Sequence, residues 1–434
     1  MDLLTFGLLL LVLLCILLGA GLWIAMSLAV VGYVAMAAVH PTPGLFLASA
    51  FWESTGSWTL AALPMFVWMG EILFRTRLSE ELFNGLAPWM RRIPGRLLHV
   101  NILACGIFGA VSGSSAATCA TISKIALPEL KRRGYDERTA IGSLATSGTL
   151  GILIPPSIIM VVYAVAAEVS IIRVFIAGFI PGLMVMGLFS LYIIGWALLN
   201  PAKQPAPEPR MSLTAKLRQS AQLIPCLLLI VGVIGSMIMG FATATEAAAF
   251  GVLGSLIMAA LTGSLTWHNF IDSLAAATRT SCMIMFILAG AAFLTKAMAL
   301  TGIPAALAQG VAALDLGPYG LIAILTLVYI ALGTSLDGVS MIVLTTSIVI
   351  PLVQAAGFDL IWFGIFIVLL VEIAQITPPV GFNLFVMQTM TGREQGEVAL
   401  ASLPFFVMLV VTVALCTLFP VTLVTGLPEL LLAQ

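Results

Sequence analysis

Charge is scarce in this chain: Asp, Glu, Lys and Arg make up 9% of its 434 residues, where a typical globular domain carries roughly a quarter. A water-soluble fold of this length needs a charged surface, so the scarcity argues against one. Cysteine is sparse as well, and Cys15, Cys105, Cys119, Cys226, Cys282 and Cys416 stand singly in apolar stretches. Without a C-x-x-C pair, neither a disulfide framework nor a metal cluster is expected. The three histidines, His40, His99 and His268, are isolated near segment ends and read as interfacial. No G-x-x-x-x-G-K-[ST] loop is present, which excludes nucleotide binding of that kind. No basic residue precedes the first apolar run, so it reads as a retained helix and not as a cleaved signal peptide. Neither a cofactor nor a nucleic-acid partner is expected.

Apolar residues are plentiful, at 61%, and the mean hydropathy is +1.15. Runs of about 18 or more recur along the length, as a bilayer core of about 30 Å requires. The expected fold class is an all-α polytopic membrane protein surrounded by lipid. Apolar segments fall at 3–18, 22–39 and 58–74, followed by a basic amphipathic stretch with Arg75, Arg77, Arg91, Arg92 and Arg96. Two shorter runs, 97–111 and 116–130, flank Ser112-Gly113-Ser114-Ser115. Each is too short to span comfortably, so together they read as a re-entrant hairpin. A segment at 137–167 is broken at Pro155-Pro156-Ser157, and another at 171–198 closes the first half. Residues 199–218 are polar and proline-rich, a linker.

The second half repeats the first. Pro128-x5-Gly134-Tyr135-Asp136-x18-Pro155-Pro156 returns as Pro351-x5-Gly357-Phe358-Asp359-x18-Pro378-Pro379, displaced by 223 residues (128 to 351, 155 to 378). Met65-Phe66 and Met285-Phe286 match at a displacement of 220. The same offset sets Ser112 opposite Ser335 and Ser114 opposite Asp337. A second polar tip is therefore expected at Gly333–Gly338, and a second broken helix at Gln375 to Gly381. Residues 75–138 hold ten of the eighteen Lys and Arg residues, and the equivalent window 298–361 holds none. Because cytoplasmic loops are enriched in Lys and Arg, the repeated unit faces opposite sides in the two halves, an inverted repeat with ten spans and two hairpins. Both termini then fall outside and the linker inside. The expected organisation is a first repeat 1–198 (scaffold helices 1–96, hairpin and broken helix 97–167, closing helix 171–198), the linker 199–218, and a second repeat 219–434 (scaffold helices 219–298, hairpin and broken helix 318–391, closing helix 397–425).

Irregular backbone at membrane depth is tolerated only where it lines an enclosed cavity, and the freed oxygens and helix ends there suit ions. Half-helix N-termini carry partial positive charge that suits a carboxylate. One oxygen-lined Na⁺ site is expected from Ser112, Gly113, Ser115, Ser147 and Thr149. A second is expected from Gly333, Ser335, Asp337, Gln375 and Thr377. Small residues in membrane helices often serve close packing, and a proline pair can be a kink; the repeated constellation favours transport. Of the apolar-embedded acids, Glu71 reads as an ion pair or an interfacial residue near the basic turn, Glu168 as interfacial, and Glu246 as a helix-start residue. Glu372 is the candidate for proton coupling.

These residues resemble the large membrane subunit of the tripartite ATP-independent periplasmic (TRAP) transporters, the DctM-like proteins. The likeness rests on Ser112-Gly113-Ser114-Ser115-Ala116-Ala117, Gly134-Tyr135-Asp136, Ile154-Pro155-Pro156-Ser157-Ile158, Thr245-Glu246-Ala247-Ala248 and Thr377-Pro378-Pro379-Val380-Gly381-Phe382-Asn383-Leu384-Phe385. It implies a Na⁺-driven elevator in a bacterial inner membrane, with a small four-helix membrane subunit and an extracytoplasmic solute-binding protein as partners. The solute implied is a carboxylate or sulfonate, held between the two tips by Ser114, Ser115, Pro156, Ser157, Asp337 and Asn383. Many relatives carry an acidic residue shortly after the first serine cluster, where this chain has Thr118-Cys119. A proton-coupled transporter using Glu372 is the alternative, with a channel less easily set aside. An intramembrane enzyme is disfavoured, because no histidine lies near the serine tips and Asp337 has no intramembrane Asp partner.

Overall fold

The computed structural model describes residues 3–205, 211–306, 309, 317–334 and 336–432, and its regular structure among them is helical throughout. The N-terminal helices are α1 (Leu3–Gly19), α2 (Ile24–Val39), α3 (Pro43–Thr55), α4 (Ala62–Phe74) and α5 (Leu78–Met90). There follow α6 (Leu97–Ser112), α7 (Ser115–Arg132), α8 (Glu137–Ser147), the one-turn α9 (Leu150–Leu153), α10 (Ile158–Ala166) and the long α11 (Ile171–Leu199). The second half runs through α12 (Leu213–Ser220), α13 (Ile224–Ile238), α14 (Ala244–Leu261) and α15 (Trp267–Thr301). It continues with α16 (Gly317–Gly333), α17 (Gly338–Ala355), α18 (Leu360–Gln375), α19 (Phe382–Thr391), α20 (Gln395–Leu418) and α21 (Gly426–Leu432).

Local chemistry explains where these helices start. Side-chain oxygens at N-cap positions accept the first free amide protons, which would otherwise be unpaired in a medium without water. Ser114 accepts from Ala117 N, Asp136 from Thr139 N, Ser157 from Met160 N and Asp359 from Trp362 N. Thr243 and Glu246 form a reciprocal capping box at the start of α14, which accounts for Glu246. Glu71 pairs with Arg75 one turn away, and Glu168 lies exposed beyond α10.

Six helices among the described residues are at least 18 residues long and apolar enough to cross a membrane. Large apolar side chains also face outward: Trp52 is 82% exposed, Leu199 84% and Leu261 83%. Such a surface is stable against lipid tails, and the chain is a multi-pass membrane protein. The interior is centred on α18, every residue of which is buried from Trp362 onward. Trp362 stacks between Phe358 and Phe366, with ring centroids 4.8 and 5.3 Å away, and its indole N–H donates to Cys416 O at 2.8 Å.

Two groups of helices pack together. The first is built from α2, α3, α4, α14 and α15; the second comprises α6–α11 and α16–α20. Within the second group the displacement of 223 residues recurs in the elements: α7 and α17 both have 18 residues and begin at 115 and 338. Contacts are exchanged in the same way. Helix α7 packs on α19 as α17 packs on α10, and α20 on α8 as α11 on α18.

Three features differ from the expectations. The stretch before Trp58 forms α3, meeting the Trp58–Phe74 segment at a 51° bend; its 13 residues, ending in Glu53-Ser54-Thr55, are too short an apolar run to read as a span. The segment 137–167 breaks at Gly148 as well as at the prolines. Part of the linker is helical: Leu213–Ser220 lies on α5, where Trp89 Nε1 donates to Ser220 Oγ at 2.6 Å and Lys216 sits over the Trp89 ring.

Candidate functional site

At the first tip, α6 ends on Gly113 in the left-handed conformation (φ 61°), which a residue with a Cβ adopts with difficulty. The chain reverses there and Ser114 caps α7. Ser112 is buried with its hydroxyl 2.7 Å from that of Thr118, and Ser115 is buried as the first residue of α7. This tip lies against the first helix break. A methyl placed on Gly113 would come within 3.0 Å of the Ile158 side chain. At the break, Pro156 is buried, the Pro155–Pro156 bond is cis, and Ser157 donates to Ile152 O at 2.6 Å while capping α10.

The second tip reaches the same place. A methyl on Gly338 would lie 2.6 Å from Ile159 Cδ1, so the two tips flank consecutive residues at the start of α10. Gly333 is buried against Ala374. Asp337 accepts from Val339 N at 3.2 Å, from Ser340 N at 3.3 Å and from the Ser340 hydroxyl. It thereby caps α17 as Ser114 caps α7. Ser335 lies outside the described residues. At the second break Gln375 is buried, while Thr377 is half-buried and donates to Ile373 O at 2.6 Å. The cis pair Pro378–Pro379 is exposed, unlike its buried counterpart in the first half.

Near the two breaks several polar side chains are buried. Thr149 donates to Thr146 O at 2.8 Å, and Asn383 Nδ2 donates to Ala145 O at 2.9 Å. Ser147 Oγ, Asn383 Oδ1, Gln375 Oε1 and both carboxyl oxygens of Glu372 have no hydrogen-bond partner among the described residues. All four residues are at most 7% exposed. Leaving a buried polar atom without a partner costs about 1–3 kcal/mol. Among the described residues no group of three or more His, Cys, Asp or Glu side chains could hold a metal ion.

Around the first break, a methyl on Gly151 would stand 2.9 Å from Ser114 O, and Asn383 reaches in from the second half to Ala145 O. Thr118, which holds Ser112, and the close contact of Gly109 with Gly151 were not foreseen; the spacing of Gly106, Gly109 and Gly113 along α6 is the signal that could have pointed to the latter. On the cytoplasm-facing loops of the charge-based reading, Asp136 bonds Thr139 and lies 3.5 Å from Lys203. Burial opposes its charge, but the Thr139 hydroxyl and amide, with Lys203, outweigh it and hold the carboxyl below its usual range.

Comparison with known proteins agrees with this architecture. The family described as the tripartite ATP-independent periplasmic transporter, DctM component, matches residues 9–422. The C4-dicarboxylate TRAP transporter large permease protein DctM of Pseudomonas aeruginosa is 34% identical over 395 residues, covering 91% of this chain and 92% of that protein. The ectoine/5-hydroxyectoine TRAP transporter large permease protein UehC of Ruegeria pomeroyi is 32% identical, covering 82% and 83%. Among solved structures, the YdaH transporter of Alcanivorax borkumensis superposes with a TM-score of 0.65 at 13% identity, over 92% of this chain and 96% of that one, a likeness of fold alone. The chain belongs to the DctM component family of tripartite ATP-independent periplasmic transporters, and is a large permease subunit and not an enzyme.

Proposed function

We propose that this chain is the permease of a Na⁺-coupled, binding-protein-dependent importer of a small organic anion, a carboxylate or sulfonate. The observation that carries the reading is the meeting of both tips at the start of α10, Gly113 against Ile158 and Gly338 against Ile159, in an interior that also holds buried oxygens without partners among the described residues. Neutral oxygens of this kind suit Na⁺, and helix N-termini at Ser114, Ser157 and Asp337 offer partial positive charge to an anion. The first ion site takes Ser112, Gly113, Ser115, Ser147 and Thr149; the second takes Gly333, Asp337, Gln375 and Thr377, with Ser335 beside them in sequence. The solute lies between the tips, near Ser114, Ser115, Pro156, Ser157, Asp337 and Asn383.

The two halves form an inverted repeat, with α6–α7 and α16–α17 as re-entrant hairpins. The exchanged contacts of α7 with α19 and α17 with α10 support this, as a two-fold relation requires such a swap. Polar contacts respect the proposed topology. Arg393–Glu137 and Lys203–Asp136 join groups assigned to the cytoplasmic face, and Lys296–Glu53 joins groups assigned to the outer face. The hairpin group moves as an elevator against the scaffold of α2–α4, α14 and α15, in a bacterial inner membrane with both termini periplasmic. A small four-helix membrane subunit and an extracytoplasmic solute-binding protein complete the importer. At about −60 to −90 mV, each positive charge carried inward gains about 1.4–2.1 kcal/mol. Two Na⁺ per monoanion therefore drive uphill uptake. A second reading, a proton-coupled importer, is favoured by the unpartnered carboxyl of Glu372.

The test is solute uptake into proteoliposomes holding this chain and its small partner, with the binding protein outside. Uptake that needs both a Na⁺ gradient and the binding protein is expected. Uptake driven by a proton gradient without Na⁺ would overturn the Na⁺ reading.

A further inference from the structure

We infer that Glu372 supplies the negative charge of the ion site at the first helix break, so that this site is assembled across both halves of the chain. The inference rests on the Na⁺-coupled reading and deepens it, since the residues assigned to that site from the first half carry no formal charge.

Glu372 is 0% exposed, and neither of its carboxyl oxygens has a hydrogen-bond partner among the described residues. The polar group beside it is the Thr149 hydroxyl. That hydroxyl already gives its proton to Thr146 O at 2.8 Å, so it presents lone pairs to the carboxyl. Two oxygens facing each other through lone pairs repel unless a cation or a proton lies between them. The surroundings add further oxygens. Ser147 Oγ, two residues from Thr149, is buried and unpartnered among the described residues. Asn383 spends its N–H on Ala145 O, which leaves Oδ1 free of any donor there. Helices α9 and α18, which carry the segments next to Thr149 and Glu372, are packed together.

A buried carboxylate without a donor is stable only when paired with a cation or protonated. The ligand set here is a carboxylate, hydroxyls and an amide carbonyl, all hard oxygens, which suits an alkali cation. The positions add a geometric reason. Thr149 and Glu372 are 223 residues apart (149 to 372), the displacement of the repeat itself. Equivalent positions that meet each other lie on the axis relating the halves. One cation there is shared by both repeats, and its charge partner comes from only one of them.

The experiment compares wild type, Glu372→Gln and Glu372→Asp, each purified with the small partner subunit. It measures the number of ²²Na⁺ ions bound and the Na⁺ dependence of uptake in proteoliposomes. For Glu372→Gln we expect one fewer bound Na⁺ and a Na⁺ requirement raised by about 10–100-fold, the scale seen when metal sites lose a supporting carboxylate. Glu372→Asp, which keeps the charge, restores part of both. If Glu372→Gln does not fold, Thr149→Val removes the facing oxygen at nearly constant shape and is expected to lower Na⁺ binding in the same way. Wild-type Na⁺ binding and activation in a folded Glu372→Gln or Thr149→Val variant would overturn the inference. So would a Glu372→Gln variant that loses only its response to a proton gradient, because the carboxyl would then hold a proton. A wild type whose uptake ignores Na⁺ would instead refute the Na⁺-coupled reading itself.

Discussion

Gly109 and Gly151 meet backbone to backbone: a methyl built on Gly109 would stand 2.5 Å from the Gly151 Cα. This contact seats α6 on the one-turn α9 and so fixes the first tip against the first break. Gly151 is closed from its other side too, since a methyl there would meet Thr118 Oγ1 at 2.7 Å and Ser114 O at 2.9 Å.

Gly109→Ala and Gly151→Ala must therefore push the tip away from the break. Overpacking of this kind costs about 1–3 kcal/mol. Both variants are expected to have a lower unfolding temperature in detergent and to lose most uptake. A Gly109→Ala variant with unchanged uptake would show that the tip tolerates displacement.

Asp337 caps α17 and, under the proposed function, also serves as an ion ligand, and substitutions can separate the two. As a helix cap it contributes about 0.5–2 kcal/mol, which Asp337→Asn retains and Asp337→Ala loses. As an ion ligand it contributes charge, which both variants remove. Asp337→Asn is thus expected to keep near-normal thermal stability but to need more Na⁺ for half-maximal uptake. Unchanged Na⁺ dependence would leave Asp337 with the cap alone.

Asp136 supplies a pH signature outside the membrane. Its folded-state value is depressed by Thr139 and Lys203, so its contribution is complete above the unfolded value of about 3.9. That contribution disappears as pH falls through the folded value. Stability measured by thermal unfolding should then decline in acid more steeply for wild type than for Asp136→Asn, whose cap does not titrate. Parallel acid profiles would remove Asp136 as a contributor.

Much of this architecture was legible because its signals are strong and local. Polar tips, proline pairs and capping side chains interrupt apolar runs, and the 128-to-155 spacing recurs intact from 351 to 378. Helix α3 was not legible, as Pro43–Thr55 is short and carries Glu53, Ser54 and Thr55 at its end. The apposition of the two tips at Ile158 and Ile159 was hidden for a different reason: two isoleucines in an apolar run carry no pattern. Glu372 stood out as a buried acid, but its neighbour Thr149 is far away in the chain, and no periodicity encodes contact across that distance. The helical fold of Leu213–Ser220 depends on its seat on Trp89 and α5, which composition alone does not reveal.

The swapped packing, α7 on α19 and α17 on α10, has a consequence for genetics. Under the proposed inverted repeat, a lesion at one of these seams has a twin at the other, so a survey of variants in residues 97–167 is expected to forecast the tolerant and intolerant positions of 320–390. Where twin substitutions give unequal phenotypes, as at Thr149 and Glu372, the inequality itself locates the positions at which two once-equivalent segments have taken up separate duties.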